Sequence, residues 1–403
     1  MLQTNSLRLF EYITGGYMNK AVLIPDSFKG TLSSKEICSI IEKSINYHFP
    51  ECSVFSIPVA DGGEGSVDCF LEALGGEKIY ETVKGPYFED MQSYFGLING
   101  GETAVIEMAS CAGLPLVEDR RDPSKTTTYG VGQLILSAAK KGCKKIIVGL
   151  GGSSTNDGGC GAAAATGVKF FNKEGNEFIP VGGTLKDIAK IDLSNRSEAI
   201  SNIEIITMCD IDNPMYGKNG AAYIFGPQKG AEQEMIEELD NGLIKLCEVI
   251  KSDLNKDLKD VPGGGAAGGM GAGMVAFFDS RLQMGIETVL DTVNFDDVIS
   301  DADMIFTGEG KLDSQSLRGK VVIGVARRAG KKNIPVTVIA GGTDDIQEAF
   351  EVGVTSVFTI NRLPQDFQIS RFKSKENMES TIDNILKLIK SVNKKIIIGG
   401  KKC

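Results

Sequence analysis

Glycines and hydroxyl residues are concentrated in one short stretch, GLGGSSTNDGG, which runs from Gly149 to Gly159. It directly follows the apolar run 146–148, so we expect a loop at the end of a buried strand. Glycine lets backbone N–H groups approach a ligand closely, and Ser153, Ser154 and Thr155 add hydroxyls. This combination suits an oxyanion such as phosphate, although a tight turn would explain the glycines equally well.

Carboxylates and ammonium groups follow several other predicted strands. In open α/β sheets, ligands bind outside the carboxyl ends of the strands, so polar residues there are candidates for chemistry. A single aspartate at such a position is commonly a helix cap, whereas charged loops after successive strands favour a ligand site. The candidates are Asp26, Ser27 and Lys29 in PDSFKG, Asp61 and Glu64 in ADGGEGS, Asp210, Asp212, Asn213, Lys218 and Lys229 in the middle of the chain, and Glu309, Lys311 and Asp313 in the predicted loop TGEGKLDSQS.

Histidine is nearly absent, and this limits the chemistry. His48 is the only histidine, and it falls in a helix-like stretch with no motif around it. Histidine triads and metal sites with several histidines are therefore nearly excluded, and acid–base work falls to Asp, Glu and Lys. Cys111 and Cys160 lie near the polar loops, but a buried cysteine is usually a small apolar side chain. We expect a mechanism that depends on carboxylates.

The composition is that of a globular protein with material for more than one core. The 403 residues are 42% hydrophobic and 24% charged, which predicts roughly two domains and little disorder. The net charge of −10 argues against a nucleic-acid scaffold, while a locally positive cleft can still hold an anionic substrate. Nine cysteines without CxxC spacing, and no signal-like segment, predict reduced thiols in the cytoplasm. No apolar run approaches the ~18 residues needed to cross a membrane.

Carboxylates, lysines and Gly-Ser-Thr loops without usable histidine fit magnesium-assisted phosphoryl transfer. Carboxylates hold Mg²⁺, lysine and backbone N–H groups hold phosphates, and one aspartate can take the proton of the acceptor hydroxyl. The chain has no Gly-x-x-x-x-Gly-Lys-[Ser/Thr] and no His-Arg-Asp, so neither the P-loop nor the protein-kinase pattern applies. The residues by themselves indicate a phosphotransferase and go no further.

The elements that must position these loops alternate between strands and helices. A strand at 21–24, a helix from about Ser33 to Asn46 and a strand in CSVFSIPVADGG open the chain, with Ser33 or Ser34 as the helix cap and Glu36 in the first turn. Strands in ADMIFTGEG, IPVTVIAGG and VTSVFTI alternate with helices near the other end. This alternation is typical of a doubly wound parallel sheet.

We therefore predict an α/β fold with two domains. A discontinuous Rossmann-like parallel-sheet domain would comprise residues 18–64 and 286–395, with a second α/β domain, residues 65–285, inserted in the middle of the chain. The strand in KKIIVGLGG could also belong to the outer sheet. Residues 1–17 precede the restart at Met18 and are predicted to be a disordered or non-native extension. The tract PGGGAAGGMGAGM is either a flexible linker or a phosphate-binding nest at a helix start.

Seven blocks of the chain together resemble the type 1 glycerate kinase family. They are PDSFKGTLSS, PVADGGEGS, GLGGSSTNDGG, CDIDNP, FGPQKGA, PGGGAAGGMGAG and TGEGKLDSQSLRGK, and the match runs from about Met18 to Asn361. Seven ordered blocks are far more specific than any one loop. The resemblance implies ATP-dependent phosphorylation of D-glycerate at the 2-hydroxyl, with Mg²⁺, in a cleft between two α/β domains. Residues 1–17 and the tail KKIIIGGKKC fall outside it.

The resemblance also implies roles for residues in these blocks. Lys29 and Lys311 would contact the carboxylate of glycerate or a phosphate, and Asp313 is the first candidate for the general base, with Asp210 second. The assignments are Asp313, Asp210 and Lys311 as catalytic residues, Asp26, Lys29, Asp61 and Glu64 for the substrate, Gly152, Ser153, Ser154, Thr155, Asp157, Gly308 and Glu309 for phosphate or nucleotide, and Asp212 and Asp61 for Mg²⁺.

Two other classes of protein compete with a kinase. A nucleotide-dependent oxidoreductase would place Gly-x-Gly-x-x-Gly after the first strand with an acidic residue ~20 positions further on, and PDSFKG does not supply it. A binding or regulatory protein that senses a small acid would not need so many carboxylates around lysines. We expect glycerate and ATP as partners and no nucleic acid or membrane, while the oligomeric state and the choice between the 2- and 3-hydroxyl stay open.

Overall fold

The computed structural model describes residues 18–59, 63, 65–314, 316, 320–344, 347–361, 363 and 366–399. Its strands are β1 Lys20–Pro25, β2 Ser53–Ser56, β3 Glu77–Lys84, β4 Asp90–Ile98, β5 Thr103–Glu107, β6 Lys145–Gly149, β7 Lys169–Phe171, β8 Glu177–Phe178, β9 Lys190–Asp192, β10 Glu204–Met208, β11 Arg281–Gln283, β12 Met304–Leu312, β13 Val336–Thr343 and β14 Ser356–Thr359. The prediction for residues 1–17 lies outside the described residues, as do those for Asp61 and Glu64.

The helices are α1 Ser34–His48, α2 Ser66–Leu74, α3 Ala109–Ala112, α4 Tyr129–Lys140, α5 Cys160–Ala165, α6 Ala221–Phe225, α7 Gln233–Leu254, α8 Ala266–Phe278, α9 Gly285–Thr292, α10 Phe295–Val298, α11 Val321–Gly330, α12 Gln347–Glu351, α13 Phe367–Ser370 and α14 Ser374–Gly399. Contacts within the chain divide it into two compact units. The described residues up to Val59 and from Val289 onward form the terminal unit, and those between them form the middle unit.

The terminal unit contains a five-stranded sheet in the order β14-β13-β12-β1-β2, with every neighbouring pair parallel. Residues 21–24 of β1 are fully buried, as expected of a central parallel strand covered on both faces. Leu23, Phe306 and Ile339 of the sheet pack with Ile41 of α1 and Ile382 of α14 in one apolar core. The predicted α/β fold with a Rossmann-like parallel sheet is confirmed.

Helix α1 begins where the sequence places its cap. The Ser33 hydroxyl accepts a hydrogen bond from Glu36 N at 3.2 Å, and the Glu36 carboxylate accepts one from Ser33 N at 2.8 Å. This reciprocal arrangement satisfies two backbone donors at the start of the helix. His48 lies in the last turn of α1, where its Nε2 is 2.7 Å from Asp383 Oδ1 on α14.

Strand β12 extends past the end of β1. Pro25, the last residue of β1, pairs with Gly308, whereas Glu309, Lys311 and Leu312 of β12 pair only with β13. From the sequence alone, TGEGKLDSQS is predicted to be a loop after Ile305 and Phe306, and that prediction is wrong for residues 307–312. Continued pairing with β13 keeps this glycine-rich segment extended, a contact that the residues alone do not reveal.

The middle unit contains a six-stranded sheet in the order β11-β10-β6-β5-β4-β3. Strands β11, β10, β6 and β5 are parallel, and β4 and β3 are antiparallel. The strand in KKIIVGLGG, β6, therefore lies in this sheet and not in that of the terminal unit. Glu107, Gly149 and Met208 end β5, β6 and β10 at the same level, so the loops after these strands start from one edge.

Candidate functional site

The Gly-rich loop that follows β6 is fixed by the segment after α3. Leu114 N donates a hydrogen bond to Gly152 O at 2.8 Å, and both the backbone N and the hydroxyl of Ser154 donate to Ala112 O at 2.9 Å. Gly152 has a φ of 72°, a left-handed conformation that glycine adopts without strain. The Ser154 hydroxyl thus stabilises the loop itself, and its contact with phosphate stays a prediction.

The carboxylate of Asp157 holds the same loop from inside. It is fully buried and accepts hydrogen bonds from Thr128 N and the Thr128 hydroxyl at 2.8 Å, from Gly159 N at 3.1 Å and from Gly161 N at 3.2 Å. Burial raises the pKa of the Asp157 carboxyl, and these hydrogen bonds oppose the rise. Because its oxygens already have donors, Asp157 orders the loop in this structure, and its predicted role at a phosphate stays a prediction.

Lys229 is a buried cation that contacts this loop. Its side chain is 2% exposed, and Nζ donates to Ser153 Oγ at 2.9 Å and to Thr155 O at 2.7 Å. Burial lowers the pKa of Lys229 to about 7, while the charge of Asp157 opposes the decrease. Lys229 therefore links Ser153 and Thr155, two of the three hydroxyl residues of the loop.

Two neighbouring side chains of the loop have polar atoms without partners. The Thr155 hydroxyl and both amide atoms of Asn156 are buried and make no hydrogen bond. An unpaired buried polar group costs roughly 1–3 kcal/mol, so native structures keep such groups for a ligand or an ordered water. Both residues can donate as well as accept a hydrogen bond. They are therefore the strongest candidates for ligand contacts in the described part of the middle unit.

The glycine-rich tract at 262–274 supports the loop from behind. The linker interpretation is wrong, because helix α8 begins at Ala266 within the tract. A Cβ atom on Gly268 would lie 2.0 Å from Thr155 O and 2.5 Å from the Cα of Asn156. Gly158 N also donates to Gly268 O at 3.1 Å. Glycine at 268 thus lets two backbones touch behind the residues with unpaired polar atoms, and the idea of a phosphate-binding nest stays a prediction.

Asp210 and Asp212 follow β10, and both are exposed. Asp210 Oδ1 accepts a hydrogen bond at 2.7 Å from the backbone N of Gly285, the first residue of α9. A carboxylate at a helix start is stabilised by the free N–H groups there. No group of three or more His, Cys, Asp or Glu side chains suited to a metal occurs among the described residues, a set that omits Asp61 and Glu64.

In the terminal unit, polar residues gather where β1 ends. Asp26 is half-buried, its Oδ1 accepts from Ser27 N at 2.6 Å, and its own backbone N donates to Gly308 O at 2.8 Å. Lys29 is exposed in the following turn. A Cβ atom on Gly310 would lie 3.5 Å from Lys29 N, so the turn crosses close to β12. The structure thus brings the predicted residues of two separate blocks to one edge of the sheet.

Glu309 and Lys311 differ sharply in their surroundings. Glu309 is 7% exposed, and burial raises the pKa of its carboxyl to about 7. Lys311 is exposed and pairs with Asp344 at 2.8 Å and with Asp313 at 3.8 Å. The hydrogen bond and charge of Asp344 raise the pKa of Lys311. Lys311 and Asp313, two candidates from one block, are neighbours, and Asp344 is a partner of Lys311 that the sequence did not indicate.

Cysteine chemistry has no support at these loops. Cys111 and Cys160 are fully buried, and burial raises the pKa of Cys111 to about 12 and that of Cys160 as well. A nucleophilic cysteine needs a lowered pKa and access to solvent. Both residues are apolar fillers, as the sequence analysis expected.

Sequence reasoning missed Asn156 and the threonines before α4. Thr126 Oγ1 donates to Ser154 O at 3.0 Å, and Thr128 contacts Asp157 as described above. The run of three threonines, 126–128, was the available signal, since buried hydroxyls need partners. Lys229 was noted as a candidate but given no role, because its burial cannot be read from its block.

Comparison with known proteins decides the family. The model of the glycerate kinase family matches residues 21–390. The chain belongs to the glycerate kinase family. It is 46% identical over 343 residues to a protein of Escherichia coli K12 named glycerate 2-kinase, a match that covers 85% of this chain and 90% of that protein. A Bacillus cereus protein named glycerate kinase is 43% identical and covers 93% of this chain and 99% of its own length.

A solved structure agrees with this assignment. A crystal structure from Salmonella typhimurium LT2, described as a candidate glycerate kinase 2, has a TM-score of 0.83 and 39% identity, covering 94% of this chain and 100% of that one. This family member is therefore an enzyme of the transferase class, a kinase, as the sequence predicted. Family membership implies ATP as the phosphoryl donor. Within its described residues, no helix is long and apolar enough to cross a membrane.

Proposed function

We propose that this enzyme transfers the γ-phosphoryl group of ATP to the 2-hydroxyl of D-glycerate, as a type 1 glycerate kinase. The observation that carries the proposal is the loop after β6, where buried, unpaired polar atoms of Thr155 and Asn156 adjoin the buried cation Lys229. Such a loop offers hydrogen bonds and charge to an anionic ligand. The relative named glycerate 2-kinase supports both the acceptor and the hydroxyl.

Both units carry groups suited to this chemistry. In the middle unit, Ser153, Thr155 and Asn156 bind phosphate oxygens, with Lys229 holding the loop in shape. In the terminal unit, Lys29 and Lys311 neutralise the carboxylate of glycerate or a phosphate. Phosphoryl transfer depends mostly on positioning and charge neutralisation, so a mechanism without histidine is sufficient.

Mg²⁺ fits the donor set on the middle unit. The exposed carboxylates of Asp210 and Asp212 follow one strand end, and Mg²⁺ in kinases takes one or two carboxylates together with substrate phosphates and waters. These two residues would hold the ion, with Asp61 as a further candidate. When bound, the ion neutralises charge on the transferred phosphoryl group. Asp26 would orient the substrate at the end of β1.

A direct assay tests the proposal. ADP release is measured with D-glycerate, L-glycerate, glycerol and no acceptor, and NMR of the product distinguishes 2- from 3-phosphoglycerate. We expect turnover with D-glycerate, formation of the 2-phosphate and loss of activity when EDTA removes Mg²⁺. Turnover with glycerol but not with D-glycerate would show that D-glycerate is not the substrate. A 3-phosphate product would show that the 2-hydroxyl is not the acceptor group. Cytoplasmic location stays a prediction.

A further inference from the structure

One carboxylate of the terminal unit has the surroundings of a proton acceptor. Glu309 is more than nine-tenths buried, and its Oε1 makes no hydrogen bond. Among the residues that the structure describes, no other carboxylate oxygen is both buried and unpaired. A buried oxygen left without a donor is costly, so its surroundings favour an incoming proton or a hydroxyl that donates to it.

The position of Glu309 fits a role at the reacting centre. It is the first residue of β12 beyond the last pair with β1, next to Gly308, whose carbonyl accepts from Asp26 N at 2.8 Å. On its other side, a Cβ atom on Gly310 would meet Lys29 N at 3.5 Å. Glu309 therefore lies at the carboxyl edge of the parallel sheet, where α/β proteins bind their ligands.

The charges around Glu309 also suit a base. Burial raises the pKa of its carboxyl to about 7, the charges of Asp26 and Asp313 raise it further, and a hydrogen bond from Ser316 and the charge of Lys320 lower it. A general base works best when its pKa lies near the working pH. An ionised glutamate would repel a phosphate, which argues against the phosphate-binding role that its block suggested.

We propose that Glu309 is the general base that takes the proton of the acceptor hydroxyl. The O–H bond of glycerate breaks and its proton passes to Glu309 Oε1, while the glycerate oxygen forms a bond to the γ-phosphorus of ATP. The bond from that phosphorus to the oxygen bridging the β-phosphate breaks, and ADP leaves with the electron pair. Glu309 then releases the proton to solvent. This inference rests on the proposed function and names the proton acceptor within it.

Asp313, the first candidate from the sequence, is less suited to this step. Its side chain is about one-quarter exposed and lies 3.8 Å from Lys311 Nζ, so it has a cationic neighbour. Its backbone N donates to Ser316 Oγ at 3.1 Å, which ties the residue into the turn after β12. This geometry suits a residue that positions Lys311 and the turn.

The pH dependence of kcat separates these two residues. The assay covers pH 5.5 to 9 with D-glycerate and ATP at saturation. It compares the wild-type enzyme with the variants Glu309→Gln, Glu309→Asp, Asp313→Asn and Glu107→Gln. We expect wild-type kcat to rise with pH through an apparent pKa near 7, because the base must lose its proton before it can act. Glu309→Gln should lower kcat by about 10²–10⁴-fold and abolish that rise, with both KM values changed less than about threefold.

The other variants provide the controls. Glu309→Asp keeps a carboxyl and should retain part of the activity together with the rise. Asp313→Asn should keep the rise even if its kcat is lower. Glu107, a buried glutamate of the middle unit that accepts from Val67 N, controls for loss of any buried carboxyl, and its Gln variant should also keep the rise. Thermal unfolding checks that each variant folds.

Three results would overturn the inference. One is a Glu309→Gln enzyme that keeps the wild-type kcat and pH profile, and another is loss of the rise in Asp313→Asn alone. The third is recovery of Glu309→Gln at high Mg²⁺, which would make Glu309 a metal ligand. If the wild-type enzyme uses L-glycerate or glycerol in place of D-glycerate, D-glycerate is rejected as the acceptor. The pH profiles of kcat, measured with the alcohol that is used, then still test Glu309. Absence of turnover with every acceptor would reject both.

Discussion

Replacing Lys229 with methionine tests whether the loop after β6 depends on a desolvated cation. Methionine keeps an unbranched, apolar stem and removes the ammonium group, which is 2% exposed and donates to Ser153 Oγ and Thr155 O. The pKa of Lys229 is about 7 in the folded protein, against the ordinary lysine value of 10.5. That difference corresponds to ~5 kcal/mol of destabilisation when the lysine is charged in both states.

The difference in unfolding free energy between wild type and Lys229→Met depends on pH in a defined direction. At pH 6 the lysine is protonated in both the folded and the unfolded protein, so the full cost of the buried charge applies. By pH 9 the folded protein has lost the proton and the unfolded chain still holds it. Wild-type stability therefore rises relative to Lys229→Met by about 3 kcal/mol between pH 6 and pH 9.

Urea unfolding followed by circular dichroism measures this difference at pH 6, 7.5 and 9. The ionisation of other groups is shared by the two proteins and largely cancels in the comparison. Lys141→Met, which removes an exposed lysine, is the matched control and should differ from wild type by the same amount at each pH. A difference between wild type and Lys229→Met that stays constant within about 0.5 kcal/mol would refute the desolvated lysine.

Three further outcomes follow from the structure and the sequence. A chain that starts at Met18 should keep the activity and melting temperature of the full chain, and loss of either would contradict the prediction for residues 1–17. Ser154→Ala should lower the free energy of unfolding by about 1 kcal/mol, because the Ser154 hydroxyl donates to a backbone oxygen. Thr155→Val should instead raise the KM for ATP severalfold at unchanged stability. The reverse pattern in urea unfolding and kinetics would be evidence against these roles. Gly268→Ala should destabilise the protein by more than about 3 kcal/mol, since the new Cβ atom would overlap Thr155 O. Gly175→Ala is the control: Gly175 also has a positive φ, but no atom lies where its Cβ would be, so the cost should be only about 1 kcal/mol.

The sequence alone predicts a structural feature when its cause lies within a few neighbouring residues. Ser33 and Glu36 sit three residues apart, and the cap that they form needs only that spacing. The apolar run before Pro25 indicated a buried strand, because a short continuous hydrophobic run that ends at a turn signal is typical of a parallel strand covered on both faces. The seven polar blocks gave the family in the same way, since their residue types and order do not depend on knowing the contacts.

The tertiary structure decided which of those polar residues are buried, paired or left without partners. Lys229 and Ser153 are 76 positions apart in the chain, and only folding brings them together and removes the lysine from water. Strand β12 continues through Glu309 because β13 pairs with it, so the glutamate is buried at a sheet edge and not exposed in a loop. Burial changes the free energy of a charge far more than its neighbours in sequence do, and burial depends on contacts between distant segments. The sequence therefore determined the class of chemistry, and the fold determined which carboxylate and which lysine are removed from water.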